Sequence, residues 1–272
     1  MPRTLRFFIT SIFLCAAFSA SAQVGTDWEL KAVEYERIAF SAEDPAEAAE
    51  ALAQKAYCYR QCGRYAEAVA TLSRISMYQL PAERRAEVLY EKELCSCLAG
   101  DYEGAVSYME EAGESASPER LAVDAMALAG CARWDESLAK AESLISLRYD
   151  GEEREEALRG LRELYSRKPE LKTEKQAVLR SFLPPLGHLY SGHLAEGLAY
   201  TGLDAAAAGW IVWQCLGHNW VTGLLGGGVL LNAAFMGGME RSVELADEYN
   251  KDALAGFNHT LRSFLAAHSA AE

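Results

Sequence analysis

The sequence predicts an all-α protein: a solenoid of helical pairs followed by a two-helix transmembrane hairpin. Three observations predict it. A seven-residue pattern recurs in the first half of the chain at a period of about 32 to 37 residues, the spacing of helix-turn-helix units. Two apolar stretches, each about 19 to 20 residues long, then follow one another across a tight turn. Between these halves lies a proline-, glycine- and histidine-rich border, SFLPPLGHLYSGHLAEG, after which no lysine or arginine occurs until Arg241.

The chain of 272 residues carries a formal net charge of −13, with half of its residues hydrophobic. That is enough length for one or two domains with real cores. The acidic balance argues against nucleic acid as a partner, because surfaces that bind it are basic. It equally disfavours a peripheral domain held on anionic lipid by charge alone.

At the start, Arg3 and Arg6 precede an apolar run from Phe7 to Phe18, which ends in Ser19-Ala20-Ser21-Ala22-Gln23. A basic head, a short apolar middle and an Ala-x-Ala end are the parts of a secretory signal peptide, so residues 1–22 are expected to be cleaved. An uncleaved anchor is disfavoured by the shortness of the run. Export permits disulfides among Cys58, Cys62, Cys95, Cys97, Cys131 and Cys215. Their spacing lacks a zinc pattern, and small buried residues between helices is the favoured reading.

The repeat domain spans 28–167. Gly63-Arg64-Tyr65-Ala66-Glu67-Ala68-Val69 recurs as Gly100-Asp101-Tyr102-Glu103-Gly104-Ala105-Val106, and more weakly as Ala132-Arg133-Trp134-Asp135-Glu136-Ser137-Leu138. Pro45, Pro81 and Pro118 fall in phase. Each unit has a first helix with Leu52, Ala56 and Tyr59 at helical spacing, then a glycine suited to a left-handed helix end. A second helix follows, with alanine at the close approach of the pair and a proline at the start of the next unit. A single pair cannot bury its apolar face, so stacked neighbours must make the core.

These units resemble tetratricopeptide repeats. Ala56, Tyr59, Gly63, Tyr65, Ala68, Leu72 and Pro81 match that pattern. The second copy keeps Gly100, Tyr102, Ala105 and Pro118, and the third substitutes Trp134 for tyrosine and Ser137 for alanine. Trp28 to Pro45 resembles a capping helix. The resemblance implies a groove for an unidentified protein or peptide; for the tyrosines and cysteines themselves, packing between helices is favoured over ligand contact. After Asp150-Gly151, residues 152–167 read as an amphipathic helix with Leu158, Leu161 and Leu164 on one stripe. Residues 168–182 form a linker helix region leading to the membrane.

Residues 183–250 form the hairpin domain. Gly197 to Leu216 and Trp220 to Gly238 are each long enough, as helices, to cross a bilayer core of roughly 30 Å. Gly217-His218-Asn219 leaves room only for a turn, with Trp210, Trp213 and Trp220 gathered near it as interfacial aromatics. Ala205-x-x-x-Gly209 and Gly223-x-x-x-Gly227 offer small-residue faces for close packing. The competing reading is a pair of buried helices in a soluble core. Residues 251–272 are taken as a C-terminal tail.

The border itself, Leu183-Pro184-Pro185-Leu186-Gly187-His188-Leu189-Tyr190-Ser191-Gly192, resembles the entrance motif of TM2-type two-span membrane domains. Pro185 stands for a glycine there, and His188 for glutamine. Ala246-Asp247-Glu248-Tyr249-Asn250 resembles the exit of such domains in bacterial proteins. No reaction comes with this resemblance. Physically, Pro184 and Pro185 stop the incoming helix, Gly187 and Gly192 permit a sharp turn, and Tyr190 suits the headgroup level.

His188, His193 and Glu196 lie close to one another, and Asp204 sits inside the first span, where a carboxylate costs about 2.5 to 3.5 kcal/mol on insertion scales. Two histidines and one acid fall short of a metal-ligand set, and no nucleophile-elbow, zincin or phosphate-loop motif occurs. No catalytic, cofactor-binding or metal-binding residues are therefore expected. Lys168, Lys172, Lys175 and Arg180 would lie on the outer side of an exported domain, against the positive-inside tendency. The sequence points to an inner-membrane protein with its repeat domain in the periplasm, working by interaction. The rivals are a membrane-embedded enzyme or transporter component using His188, His193 and Asp204, and a soluble exported repeat protein docking its apolar helices on a partner.

Overall fold

A computed structural model describes residues 27–114 and 117–269. The expected signal peptide, residues 1–22, lies outside them. The described residues are helical with no strand, so the all-α class holds. They fall into two compact units, 27–165 together with 261–269, and 166–260.

In the first unit, helix α1 (27–41) leads to α2 (Pro45–Gln61), α3 (Tyr65–Leu72), α4 (Ala82–Ala99), α5 (Tyr102–Ala112), α6 (Pro118–Gly130), α7 (Trp134–Arg148) and α8 (Gly151–Ser166). The helix starts are written in the side chains. Asp44, Asp101 and Ser117 cap α2, α5 and α6 by accepting from the backbone N–H groups of Ala46, Gly104 and Arg120, which satisfies donors that a helix end leaves orphaned. Pro45 and Pro118 occupy first helical positions, where a missing N–H costs nothing.

Consecutive helices pack: α2 on α3, α4 on α5, α6 on α7. In addition α3 meets α4, α5 meets α6, and α4 meets α6. One core cluster gathers Leu52, Ala56, Ala68, Leu72, Val88 and Cys95, with Tyr59 against it. A second gathers Cys97, Ala105, Val106, Met109, Val123 and Leu128, with Tyr102 against it. Ala68, Ala105 and Ser137, the equivalent positions of the three sequence copies, are all fully buried. Ser137 can stand in for alanine because its hydroxyl donates to the Ala125 carbonyl at 2.6 Å. Enlarging these sites is expected to overpack the helix pairs. Ala105→Leu should cost about 1–3 kcal/mol, read by chemical denaturation of the detergent-purified chain, and an unchanged midpoint would contradict this packing.

The three turns between helix partners share one backbone geometry. Gly63 and Gly100 have φ of +72° and +80°, and Ala132 takes φ +58°. Each turn closes with the same bond: the N–H groups of Arg64, Asp101 and Arg133 donate to the carbonyls of Tyr59, Ser96 and Leu128, all at 2.9 Å. Ala132 therefore bears a left-handed conformation that disfavours a Cβ. Ala132→Gly is expected to stabilise the unit by about 0.5–1 kcal/mol despite the added chain entropy. A denaturation midpoint that falls instead would show that the Cβ contributes packing that outweighs the strain.

The second unit contains α9 (Glu174–Ser181), α10 (Leu186–Ser191), α11 (Leu194–Leu216), a π-helical turn (Thr222–Gly227) and most of α12 (Gly228–Ser269). Three features of this unit bear on the sequence reading. Residues 168–182 fall within this unit, and α9 packs on α10. Residues 251–269 continue α12. Phe257, Leu261 and Leu265 are buried on it at helical spacing, and Phe264 of the first unit lies 3.4 Å from where a Cβ on Gly160 would stand. Finally, one helical stretch among the described residues, Thr222–His268, is both long and apolar enough to cross a membrane. The stretch Leu194–Leu216 has the length, but Glu196, Asp204 and Gln214 interrupt its apolarity.

Candidate functional site

In the first unit, α2 and α4 form an open groove of about 380 Å³. Glu50 and Tyr57 line it from α2, and Arg84, Glu87, Tyr90 and Glu91 from α4. Arg84 pairs with both Glu50 and Glu87, and Arg60 reaches Glu91 at 3.4 Å. Tyr57 is half-exposed, with the Arg60 guanidinium 5.1 Å above its ring and Trp28 edge-on at 5.8 Å. Burial pushes the Tyr90 phenol above its usual pKa, and the negative charges of Glu91, Glu119 and Glu93 add to that. A second cavity, about 610 Å³, opens on α6 and α7, with Leu121, Lys140 and Leu147 among its walls.

Of the residues that match the repeat pattern, Leu72 lines the α2–α4 groove, whereas Ala56, Tyr59, Gly63, Tyr65, Ala68, Pro81, Gly100, Tyr102, Ala105, Pro118 and Trp134 line neither cavity. The Tyr102 ring, for example, is spent on packing, flat against Gly130, where any Cβ would overlap it. The groove residues instead form a second stripe on the same helices: 50, 53, 54 and 57 on α2, and 84, 87, 88 and 91 on α4. That i, i+3, i+4, i+7 spacing was available in the sequence, beneath the stronger packing pattern.

Between α4, α6 and α7 lies a buried group of charges that sequence reasoning missed. Glu93 of α4 is fully buried, as are Asp124 and Arg120 of α6 to within a few per cent. Arg120 Nε stands 3.8 Å from Glu93 Oε2 and 3.9 Å from Asp124 Oδ1, and Lys140 of α7 holds Asp124 Oδ2 at 3.2 Å. Burial, and then the Asp124 charge, drive the Glu93 pKa up to about 9. The six cysteines of the described residues are free thiols. Burial raises the pKa of Cys95 to about 11 and that of Cys97 further, so neither is an activated nucleophile.

In the second unit, Pro184, Pro185, Gly187, His188, Tyr190 and Gly192 build one tight corner around α10. Gly192, at φ +89°, ends that helix, with the His193 N–H donating to the His188 carbonyl at 2.8 Å. A Cβ on Gly187 would overlap the Ser181 side chain, and one on Gly197 would meet His188 Cβ at 2.6 Å. Ser181 and Ser242 share a buried hydroxyl contact of 2.5 Å, and Ser191 donates to the Ser242 carbonyl. His188 is buried and stacks on Tyr200, ring centroids 5.1 Å apart. Its Nε2 and the Oδ1 of Asp204 lack hydrogen-bond partners, and both residues line a cavity of about 10 Å³, space for a single water.

His193 does not join them: it is absent from that lining, and its Nδ1 lies 3.1 Å from the Ser191 carbonyl. Glu196 is bound to Arg241 at 2.9 Å. The polar trio read from the sequence is therefore a pair plus a separate histidine. Among the described residues no three His, Cys, Asp or Glu side chains gather as metal ligands would.

The small-residue faces also separate. A Cβ on Gly227 would overlap Ile211 and one on Gly223 would meet Gln214 Cβ at 3.1 Å, so this pair lies in the seam with α11. Ala205 and Gly209 are exposed, and α11 presents Ile211 and Gln214 to the seam instead. Comparison with family models, curated proteins and solved structures finds no match for the chain.

Proposed function

We propose that the protein is a membrane-anchored interaction protein of a bacterial envelope. In this reading a tetratricopeptide-like domain faces the periplasm, and α11 with the apolar first half of α12 forms a two-span hairpin of the TM2 type in the inner membrane. The groove between α2 and α4 takes a protein or peptide segment, and no reaction is catalysed.

The observation that carries this reading is uncovered apolar surface. Leu198, Leu203, Val212, Trp213 and Leu216 of α11 are exposed, and so are Trp220, Val221, Leu224, Leu225, Val229 and Leu230 beyond the turn. Only 17% of the most apolar stretch of Thr222–His268 is buried. A soluble monomer rarely leaves so large a contiguous apolar surface to water, whereas lipid covers it at no cost. The seam at Gly223 and Gly227 supplies the close backbone approach that holds two helices together in lipid. Asp204 weakens the apolarity of α11 but lies beside His188 rather than facing outward alone, as intramembrane carboxylates usually do.

The test is extraction. The chain should remain in the membrane fraction through high salt and alkaline carbonate, and release by carbonate would sink the anchor. The cavity shared by His188 and Asp204 favours the rival reading, a membrane-embedded enzyme or transporter component. Asp204→Asn and His188→Gln decide between them. An anchor should keep its membrane level and still rescue a deletion strain, while a working proton or ligand site would lose rescue at normal protein level.

A further inference from the structure

The corner at α10 carries a second feature that packing does not explain. Lys172 Nζ lies 3.3 Å from the ring centroid of Tyr249 and 5.7 Å from that of Tyr190. The Arg180 guanidinium lies 4.2 Å from the same Tyr190 ring. Two cations thus converge on one phenol, although like charges repel and the chain is strongly acidic. Neither has a carboxylate within ion-pair distance among the described residues. The nearby acids are engaged elsewhere: Glu248 with Arg241 at 3.1 Å and Asp247 with Lys251 at 2.8 Å. Burial lowers the Lys172 pKa below the usual lysine value, so an anion placed beside it would favour its charged form.

The placement is built, not incidental. Asn250 clasps the backbone of Lys172 from both sides, accepting from its N–H at 2.7 Å and donating to its carbonyl at 2.7 Å. The Thr173 N–H donates to the Tyr190 hydroxyl at 3.1 Å. Tyr249 and Asn250, at the end of the hairpin region, and Tyr190, at its beginning, therefore fix Lys172 together. On α9, α10 and the turn between them, Leu179, Phe182, Leu183, Leu186 and Leu189 are exposed. Apolar side chains beside aromatic rings and unneutralised cations form the layered composition of a membrane interface: acyl chains, headgroup level, phosphate level.

We propose that Lys172 and Arg180, held against Tyr190 and Tyr249, form a headgroup site for an anionic phospholipid of the leaflet the hairpin enters. The phosphate oxygens accept from the ammonium and the guanidinium, and the exposed leucines and Phe182 take the upper acyl chains. This rests on the membrane reading above. It also gives a reason for basic residues on a side where the positive-inside tendency disfavours them: they serve a bound lipid.

Native mass spectrometry of the full chain in detergent tests it, with equimolar phosphatidylglycerol and phosphatidylcholine of identical acyl chains as probes. The wild type should retain phosphatidylglycerol about tenfold in preference, given what each basic residue contributes near an anionic surface. The double variant Lys172→Gln/Arg180→Gln should fall below about twofold. Lys172→Arg/Arg180→Lys, which keeps both charges and guards against a folding artefact, should keep most of the preference. Lys251→Gln, which removes a cation already paired with Asp247, should keep all of it. Equal retention of the two lipids by the wild type overturns the proposal, as does a preference that survives in the double variant. Displacement of all bound lipid by millimolar inorganic phosphate also overturns it, since the site would then be one for free phosphate. Carbonate release would fail the anchor itself, an outcome separate from a stably inserted chain with no lipid preference.

Discussion

Arg120→Met is expected to destabilise the first unit by about 3–5 kcal/mol, the cost of breaking a buried charge group from one side. Arg120 lies between two carboxylates, Glu93 and Asp124, that are fully or almost fully buried. Its own Nη2 also reaches the Met109 carbonyl at 3.5 Å, tying α6 to α5. Methionine fills similar space but carries no charge. Asp124 would keep Lys140 at 3.2 Å, while Glu93 would face Asp124 without the cation between them. The comparison is Arg64→Met, which removes an exposed pair with Glu67 and should cost no more than about 1 kcal/mol. Denaturation of both variants in detergent, followed by far-ultraviolet circular dichroism, measures the difference. A cost below about 1 kcal/mol for Arg120→Met would mean that the group is not held as one network. The hydrophobic triple exchange Arg120→Met, Glu93→Leu, Asp124→Leu should recover much of the loss, because burying charges contributes little net stability even when they are paired.

How far these features could be read in the sequence depends on what kind of pattern carries them. The three turns were legible because a left-handed residue followed by an aromatic and then a small residue leaves a mark at fixed spacing. Even Ala132 was found, through its neighbours Arg133 and Trp134, and its φ of +58° shows that the backbone kept the turn after the glycine was gone. The helical character of the hairpin region was legible from apolar length. The continuation of α12 past Asn250 was not, because Asp247, Glu248, Lys251 and Asp252 read as a solvated end. The helix persists there since Phe257, Leu261 and Leu265 recur on one buried face. The split of His188, His193 and Asp204 was not legible either. Gly192 reverses the chain between the two histidines, and only His188 lines the small cavity that Asp204 also lines. Least legible was Glu93. A glutamate in the sequence of a charged helix looks like any surface residue, and only the stacking of α4 against α6 buries it. Asn250 belongs to the same class: the sequence marked it only as part of a resemblance, and its clasp on Lys172 spans residues far apart in the chain.

Glu93→Gln is expected to make the first unit more stable than the wild type in mildly alkaline solution, and to flatten its pH dependence. The native pKa of Glu93 is raised from 4.5 to about 9, by burial first and next by the Asp124 charge, with Arg120 and Lys140 pulling the other way. A proton held on Glu93 lets its hydroxyl donate to the Asp124 carboxylate, so the two acids share one negative charge. The sign follows from proton linkage. Below about 4.5 both folded and unfolded chains hold this proton, and its contribution to stability is fully present. Between there and about 9 the folded chain holds the proton and the unfolded chain does not, so stability falls as pH rises, by up to about 1.4 kcal/mol per pH unit. Above about 9 the contribution is gone. Glu36 does not interfere, because Arg74 and Lys55 hold its pKa down to about 2 and its loss occurs only in acid. The buried thiols Cys95 and Cys97 act with the same sign as Glu93, but only above their ordinary value of 9. Glutamine keeps the N–H donor to Asp124 at every pH and has no proton to lose. Denaturation midpoints from pH 5 to 8 should therefore decline in the wild type and stay level in Glu93→Gln, with the curves meeting near the acid end. Parallel declines in the two proteins would place the pH sensitivity elsewhere and show Glu93 to be ionised in the native fold.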